Sequence, residues 1–278
     1  MTDISLLDSV ILGVVEGLTE FLPVSSTGHL TIVEKWLGLP IDDKGVTAFT
    51  AIIQTGAIAA VVVYFFRDIA RIARAWFRGL FKPELRGDFE HRFGWFVIWG
   101  SLPIGAVGFL MRDVISGPLR SLWVVAGALI LWSVVMVVAE RRATQERHER
   151  NITLQDALVI GVVQCLALVP GVSRSGATIS AGLLRGLDRV AATRLSFFLS
   201  IPALVGAGLF ELKAAAKASV PVVPLLVGTG VSFVVAYGSI AWLLRFVAGH
   251  RISLFVPYRV GLGVLLVALL VTGTMQAT

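Results

Sequence analysis

Two short stretches carry side chains that sit uneasily in an apolar setting. The first runs from Glu16 to His29 and reads EGLTEFLPVSSTGH. Glu16 and Glu20 are four residues apart, which puts both carboxylates on one helix face, a turn from each other. Their neighbours are Val14, Val15, Leu18, Phe21 and Leu22, and ionisable groups in such surroundings are functional by default because burying them is costly. Two like charges in a low dielectric repel, so the pair either raises one pKa or recruits a cation. A hard divalent ion takes carboxylate oxygens and binds phosphate too; Mg²⁺ leads, with Ca²⁺ as the alternative. The pair can hold metal, supply a general base, or do both. The plainer reading is the solvated end of a surface helix.

Pro23 ends the preceding helix, and Ser25, Ser26, Thr27, Gly28 and His29 follow. Hydroxyl residues after a proline commonly cap the next helix, so Ser25 or Thr27 can do only that. Three hydroxyls beside a glycine also suit a polar loop whose amides face an anion. His29 lies three residues past Ser26, within reach of a hydroxyl–imidazole contact, and a serine beside a base is the usual activated nucleophile. The alternative is a satisfied core histidine.

The second stretch is PGVSRSGAT, from Pro170 to Thr178. Gly171 and Gly176 let the backbone approach a ligand closely. Ser173, Ser175 and Thr178 can donate hydrogen bonds, and the following helix offers its N-terminal amides and positive dipole end. Arg174 brings a permanent charge with fork geometry suited to phosphate. Its alternative is a buried ion pair with one of the glutamates, and such a pair can open onto substrate. Taken together, the two stretches point to hydrolysis of a phosphate ester or anhydride inside a membrane.

The rest of the chain must bring them together. Of its 278 residues, 56% are hydrophobic and 15% charged, with a mean hydropathy of +0.85. A soluble domain carries about a quarter charged residues, so the class is membrane. The net charge of +6 lies mostly in loops between apolar runs, where it serves topology, and no nucleic-acid partner is expected. The single cysteine, Cys165, rules out an intrachain disulfide framework. Asp3, Asp8, Glu16 and Glu20 without a basic leader argue against a cleavable signal peptide. No Cys/His cluster supports zinc, and no Walker or dinucleotide fingerprint is present.

Six stretches can span the bilayer: 47–66, 93–111, 122–139, 195–212, 222–247 and 256–272, each near the roughly 20 apolar residues a crossing needs. Three shorter apolar pieces, 4–22, 30–39 and 154–187, are interrupted by Pro23, by Pro170 and Gly171, and by the polar motifs. Segments broken at membrane depth line a cavity or turn back on themselves. They read as two re-entrant helix–loop–helix hairpins. A shift of 148 positions aligns Leu6 with Leu154, Asp8 with Asp156, Gly13-Val14-Val15 with Gly161-Val162-Val163, Val24-Ser25 with Val172-Ser173, and Gly28 with Gly176. Glu16 then faces Gln164, and Ser26 faces Arg174. Three spans separate the hairpins, so the second copy is turned over and the repeat is inverted. The expected fold is therefore an all-α polytopic membrane protein, one integral membrane domain over 1–278 with inverted repeats of about 1–140 and 150–278.

Arginines 67, 71, 74, 78, 86, 92, 141, 142, 147, 150, 185, 189, 194, 245 and 251, with Lys82, crowd one side. The other side has Lys35, Lys44, Arg112, Arg120, Lys213 and Lys217. The positive-inside rule makes the first side cytoplasmic, with both termini and the first hairpin's mouth outside. The run 67–78, with Trp76, Phe77 and Phe81, suits an interfacial helix. Gln54 either lines the cavity or bonds a neighbouring helix. Asp8 and Asp156 suit helix N-termini, and His91, His148 and His250 are expected in solvated loops.

The pair EGLTEFLPVSSTGHL and PGVSRSGAT resembles the undecaprenyl-pyrophosphate phosphatase (bacitracin-resistance) family of bacterial inner membranes, over essentially the whole chain. The resemblance implies dephosphorylation of undecaprenyl pyrophosphate to the monophosphate lipid carrier used in cell-wall synthesis. It also implies a metal-dependent site open to the periplasm, built from two re-entrant hairpins. By motif, Glu16 and Glu20 match the acidic pair, Ser26 the proposed nucleophile, His29 the motif histidine and Arg174 the phosphate-binding arginine. Polyprenyl pyrophosphate and the bilayer are the expected partners, and a homodimer stays open. The rival is a transporter or flippase of a phosphorylated lipid using the same anion site, since broken helices and inverted repeats also build transporters.

Overall fold

The computed structural model describes residues 4–40, 43–111, 114–115, 117–215 and 221–277; Arg112 and Lys217, counted above as outward cations, fall outside these. Among the described residues there are eleven α-helices and no strand. In order they are α1 (Leu6–Thr19), α2 (Ser26–Trp36), α3 (Lys44–Tyr64), α4 (Phe66–Phe81), α5 (Phe89–Leu110), α6 (Leu122–Arg142), α7 (Leu154–Gln164), α8 (Arg174–Leu184), α9 (Arg189–Ala215), α10 (Val222–Gly249) and α11 (Val256–Val271).

Six helical stretches are long and apolar enough to cross a membrane: Gly45–Tyr64, Phe89–Leu110, Leu122–Arg142, Arg189–Leu209, Val222–Gly249 and Ile252–Val271. They match the six expected spans, and the protein is a multi-span membrane protein. The three shorter apolar pieces form two helix–loop–helix pairs, α1–α2 and α7–α8. Capping starts both pairs. Ser5 and Asp8 form a capping box on α1, and Thr153 and Asp156 form one on α7, so both aspartates serve as N-terminal residues as expected. The run 67–78 forms α4.

The pairs are wedged into the bundle by small residues. α1 packs along α10, where a methyl on Gly17 would stand 2.6 Å from the Ser232 carbonyl oxygen. α7 packs along α5, where a methyl on Gly161 would run into the Gly100 carbonyl. Such close backbone approach is the usual way membrane helices associate. An aromatic core joins the first pair to a span, where Phe21 meets Phe197 edge-to-face at 5.4 Å, and ties two spans together, where Phe93 meets Phe198 at 5.3 Å.

One end of the bundle is laced by ion pairs. Arg147 and Arg185 both hold buried Asp156, Arg189 holds Glu140, and Arg194 bridges Asp68 and Glu149. Arg147, Arg185, Arg189 and Arg194, four of the cations assigned above to one side, make these pairs. His148 is exposed and pairs with Asp188, and exposed His250 stacks on Phe246. His91 departs from expectation. It is buried inside α5 against Gly79, and its Nδ1 lies 3.1 Å from the Trp76 carbonyl oxygen. The helix starts before it, so it fills the seam between α4 and α5.

Candidate active site

The two polar loops touch. α1 stops at Thr19 with Glu20 as its C-cap, and α2 restarts at Ser26. The second loop repeats the design, with α8 beginning at Arg174. Ser25 and Ser173 occupy the N-cap positions with φ of 79° and 75°, a left-handed backbone that non-glycine residues adopt only when surroundings hold them. Here they are held from across the interface. The Gly171 amide donates to Ser25 Oγ at 3.0 Å, and Ser173 Oγ donates to the Leu22 carbonyl at 3.5 Å. Gly171 itself has φ of 99°, and a side chain there would meet the Val125 carbonyl oxygen at 2.5 Å, so only glycine fits.

Glu20 stands at the centre. One carboxylate oxygen lies 2.5 Å from Arg174 Nη2, and the other accepts the hydroxyl of Ser26. The ion pair foreseen between Arg174 and a glutamate is thus present, and its partner is Glu20. Ser26 and Arg174 are half-buried and Thr27 is exposed, while Glu16 is fully buried one turn back on α1. The Ser26 hydroxyl bonds Glu20, while the His29 ring nitrogens have other partners. The His29 Nδ1 lies 2.7 Å from the Ser25 carbonyl, which can only accept, so that nitrogen carries the proton. Its Nε2 is left as acceptor for the Tyr258 hydroxyl at 2.6 Å, with the two rings stacked.

The remaining candidates divide. Ser173 caps α8 by accepting from the Gly176 amide at 3.2 Å and lies 3.2 Å from the Ser175 hydroxyl. Thr178 donates to the Arg174 carbonyl at 2.8 Å and meets Ser196 at 2.5 Å, which ties α8 to α9. Gln54 is half-buried in α3, and no hydrogen bond among the described residues links it to either loop. Glu16 and Glu20 are the carboxylates of the first motif that could hold a cation, and Glu20 is already engaged by Arg174 and Ser26; among the described residues no group of three or more His, Cys, Asp or Glu side chains gathers to hold one. That donor set fits Mg²⁺ of the kind that keeps waters and substrate phosphates as most of its ligands.

Arg259, in α11, was not among the candidates. It has no exposed surface. Nη1 donates to the Pro23 carbonyl at 2.9 Å, Nη2 to those of Gly171 and Val172 at 2.8 and 3.1 Å, and Nε to Ser133 Oγ at 3.2 Å. One guanidinium thus clamps both loops, and its neighbour Tyr258 reaches His29. The available signal was an arginine inside the apolar stretch 256–272, because ionisable residues at membrane depth mark sites.

Comparison with known proteins gives the chain a family. Residues 9–265 match the family model described as Bacitracin resistance protein BacA. The chain is 58% identical to an undecaprenyl-diphosphatase of Acidothermus cellulolyticus, over 97% of this chain and 98% of that one. It is 57% identical to undecaprenyl-diphosphatase 1 of Streptomyces coelicolor over the whole of both chains, and 49% identical to the Corynebacterium diphtheriae undecaprenyl-diphosphatase over 99% and 98%. With both polar loops inside the matched region, the chain belongs to the bacitracin resistance protein BacA family.

Proposed function

We propose that this protein is a membrane phosphatase that hydrolyses undecaprenyl pyrophosphate to undecaprenyl phosphate and inorganic phosphate. It thereby recycles the lipid carrier for peptidoglycan synthesis, in keeping with bacitracin resistance. The observation that carries the reading is Glu20 joining Ser26 to Arg174, inside a chain matched to the family over residues 9–265.

In the mechanism we favour, the polyprenyl tail stays in lipid while the pyrophosphate enters the polar pocket. Arg174 turns from Glu20 to the terminal phosphate, aided by the amides at the start of α8. Glu20 takes the Ser26 proton as the serine oxygen attacks phosphorus in line. The bond to the bridging oxygen breaks, undecaprenyl phosphate leaves, and water releases phosphate from the serine. Glu16 and Glu20 would hold a divalent cation, which would supply positive charge against that developing on the phosphoryl group. His29 and Tyr258 form the polar wall beside the serine, with the His29 tautomer set by the Ser25 carbonyl.

Both helix–loop–helix pairs are re-entrant in this reading, related as inverted repeats. Support comes from the matched packing of α1 on α10 and α7 on α5, and from the matched backbone of Ser25 and Ser173. By the positive-inside rule the ion-paired, arginine-rich end faces the cytoplasm of a bacterial inner membrane, and the pocket opens to the periplasm. The test is phosphate release from undecaprenyl pyrophosphate by purified protein in detergent, with and without chelator, beside Arg174→Ala. Metal-dependent release, reduced about 10²–10³-fold in the variant, supports the assignment. No release from folded wild type with metal present would transfer the reading to lipid transport.

A further inference from the structure

The phosphatase reading leaves one built feature unused. α4 connects two spans, so it sits where the chain leaves the hydrocarbon. Its Arg67, Arg71, Arg74 and Arg78 lie along one line and are all exposed. Like charges at this spacing repel. Arg71 is answered by Asp68 at 2.7 Å, while no ion pair among the described residues engages Arg67, Arg74 or Arg78. The four arginines form one wall of a groove of about 460 Å³, with Ala70 and Ala75 between them and Asp88 and Glu90 on the side of α5. This volume is within the range of small-ligand sites. Phe77 and Phe81 are exposed beside it and contact each other edge-to-face at 5.2 Å. Behind, α4 is anchored to α5 by Trp76 against Gly94 and by His91 against Gly79.

We propose that this groove is a binding site for the headgroup of an anionic, hydroxyl-bearing glycerophospholipid. With Arg71 paired to Asp68, three further guanidinium groups against Asp88 and Glu90 leave the groove positive, and guanidinium forks suit a phosphodiester. The carboxylates of Asp88 and Glu90 accept hydrogen bonds from headgroup hydroxyls, and the acyl chains lie over Phe77 and Phe81. A membrane lipid is the expected source of the phosphate, because the groove lies on a helix that borders the bilayer and is flanked by exposed aromatic rings. The site is separate from the Glu20–Arg174 centre, so the proposal stands apart from the phosphatase reading.

The test is calorimetric titration of the full-length protein in detergent with dioctanoyl phosphatidylglycerol, dioctanoyl phosphatidylcholine and inorganic phosphate. Phosphatidylglycerol should bind at least about tenfold more tightly than phosphatidylcholine, which lacks both net charge and donors. The variant Arg67→Gln/Arg74→Gln/Arg78→Gln should lose at least about tenfold in that affinity while phosphate release in detergent is unchanged. A milder Arg74→Gln/Arg78→Gln variant should show an intermediate loss and covers failure of the triple variant to fold. Equal binding of the two lipids would overturn the proposal, as would undiminished binding in either variant. Displacement of the lipid by inorganic phosphate at equal concentration would overturn it too, since the groove would then be a bare anion site.

Discussion

Glu20 is the residue on which both loops converge, and its two oxygens have different partners. Glu20→Gln keeps the volume and removes both the base and the counter-charge of Arg174. We expect kcat to fall about 10²–10⁴-fold, with KM changed far less; comparable loss in KM alone would make Glu20 a binding residue. Ser26→Ala should abolish release, and full activity in that variant would remove serine as nucleophile in favour of direct attack by water. Arg259 acts through carbonyls. Arg259→Met leaves those of Pro23, Gly171 and Val172 without their donor, at roughly 1–3 kcal/mol per buried group. Thermal unfolding in detergent should register that loss, and Arg259→Lys should recover only part of it because an ammonium lacks the fork. Glu16, Glu20, Ser26, His29 and Arg174 were legible because charge and hydroxyls stand out among apolar neighbours. Tyr258 and Arg259 lie some 230 residues beyond the first loop, so sequence proximity offered no link to it.

The helices depend on glycines that let backbones approach. Gly17→Ala would bring a methyl to 2.6 Å from the Ser232 carbonyl oxygen and 2.9 Å from the Ala236 amide nitrogen, both backbone atoms. α1 must then move off α10, carrying Glu16 and Glu20 with it. We expect a lower melting temperature and at least about tenfold lower activity, since small misplacements of reacting groups are costly. Gly127 in α6 meets nothing within 4 Å of an added methyl. Gly127→Ala should therefore be neutral or stabilising by about 0.5–1 kcal/mol, and equal damage from both substitutions would sink the packing argument. Helix existence was legible from apolar run length and from Pro23 and Gly171. The burial of His91 was not, because a charge-rich stretch reads as loop unless the α4–α5 seam is known.

At the scale of the molecule, Asp156 ties the start of α7 to two loops. Burial alone would push its carboxyl up, but hydrogen bonds from Arg147, Thr153 and Arg185 outweigh it and hold the group down at about 2. A depressed carboxylate stabilises the fold above its unfolded value of about 4, and the contribution is lost as pH falls from there through about 2. Melting in detergent should be insensitive to this group from neutral pH to about 4 and fall below it. Asp156→Asn should melt lower at neutral pH and approach wild type in acid; parallel curves would refute the linkage. Orientation has its own test. In a Cys165→Ser background, a cysteine at position 5 should react with an impermeant thiol reagent in intact cells, and one at Gln145 only after permeabilisation. The reverse pattern would invert the topology.

The sequence by itself determined the membrane class, the six spans, the two broken segments and the polar residues within them. Each of these follows from a local energetic rule, the cost of exposing backbone or charge to lipid, which is paid residue by residue and so is written in order along the chain. Pairing was decided only in three dimensions. The Ser26 hydroxyl is turned to Glu20, the His29 imidazole to Tyr258, and Arg174 to Glu20. Arg259 closes both loops from the last helix. Those choices depend on which helices lie within hydrogen-bonding reach, and that reach is set by glycine-mediated approach between segments distant in sequence.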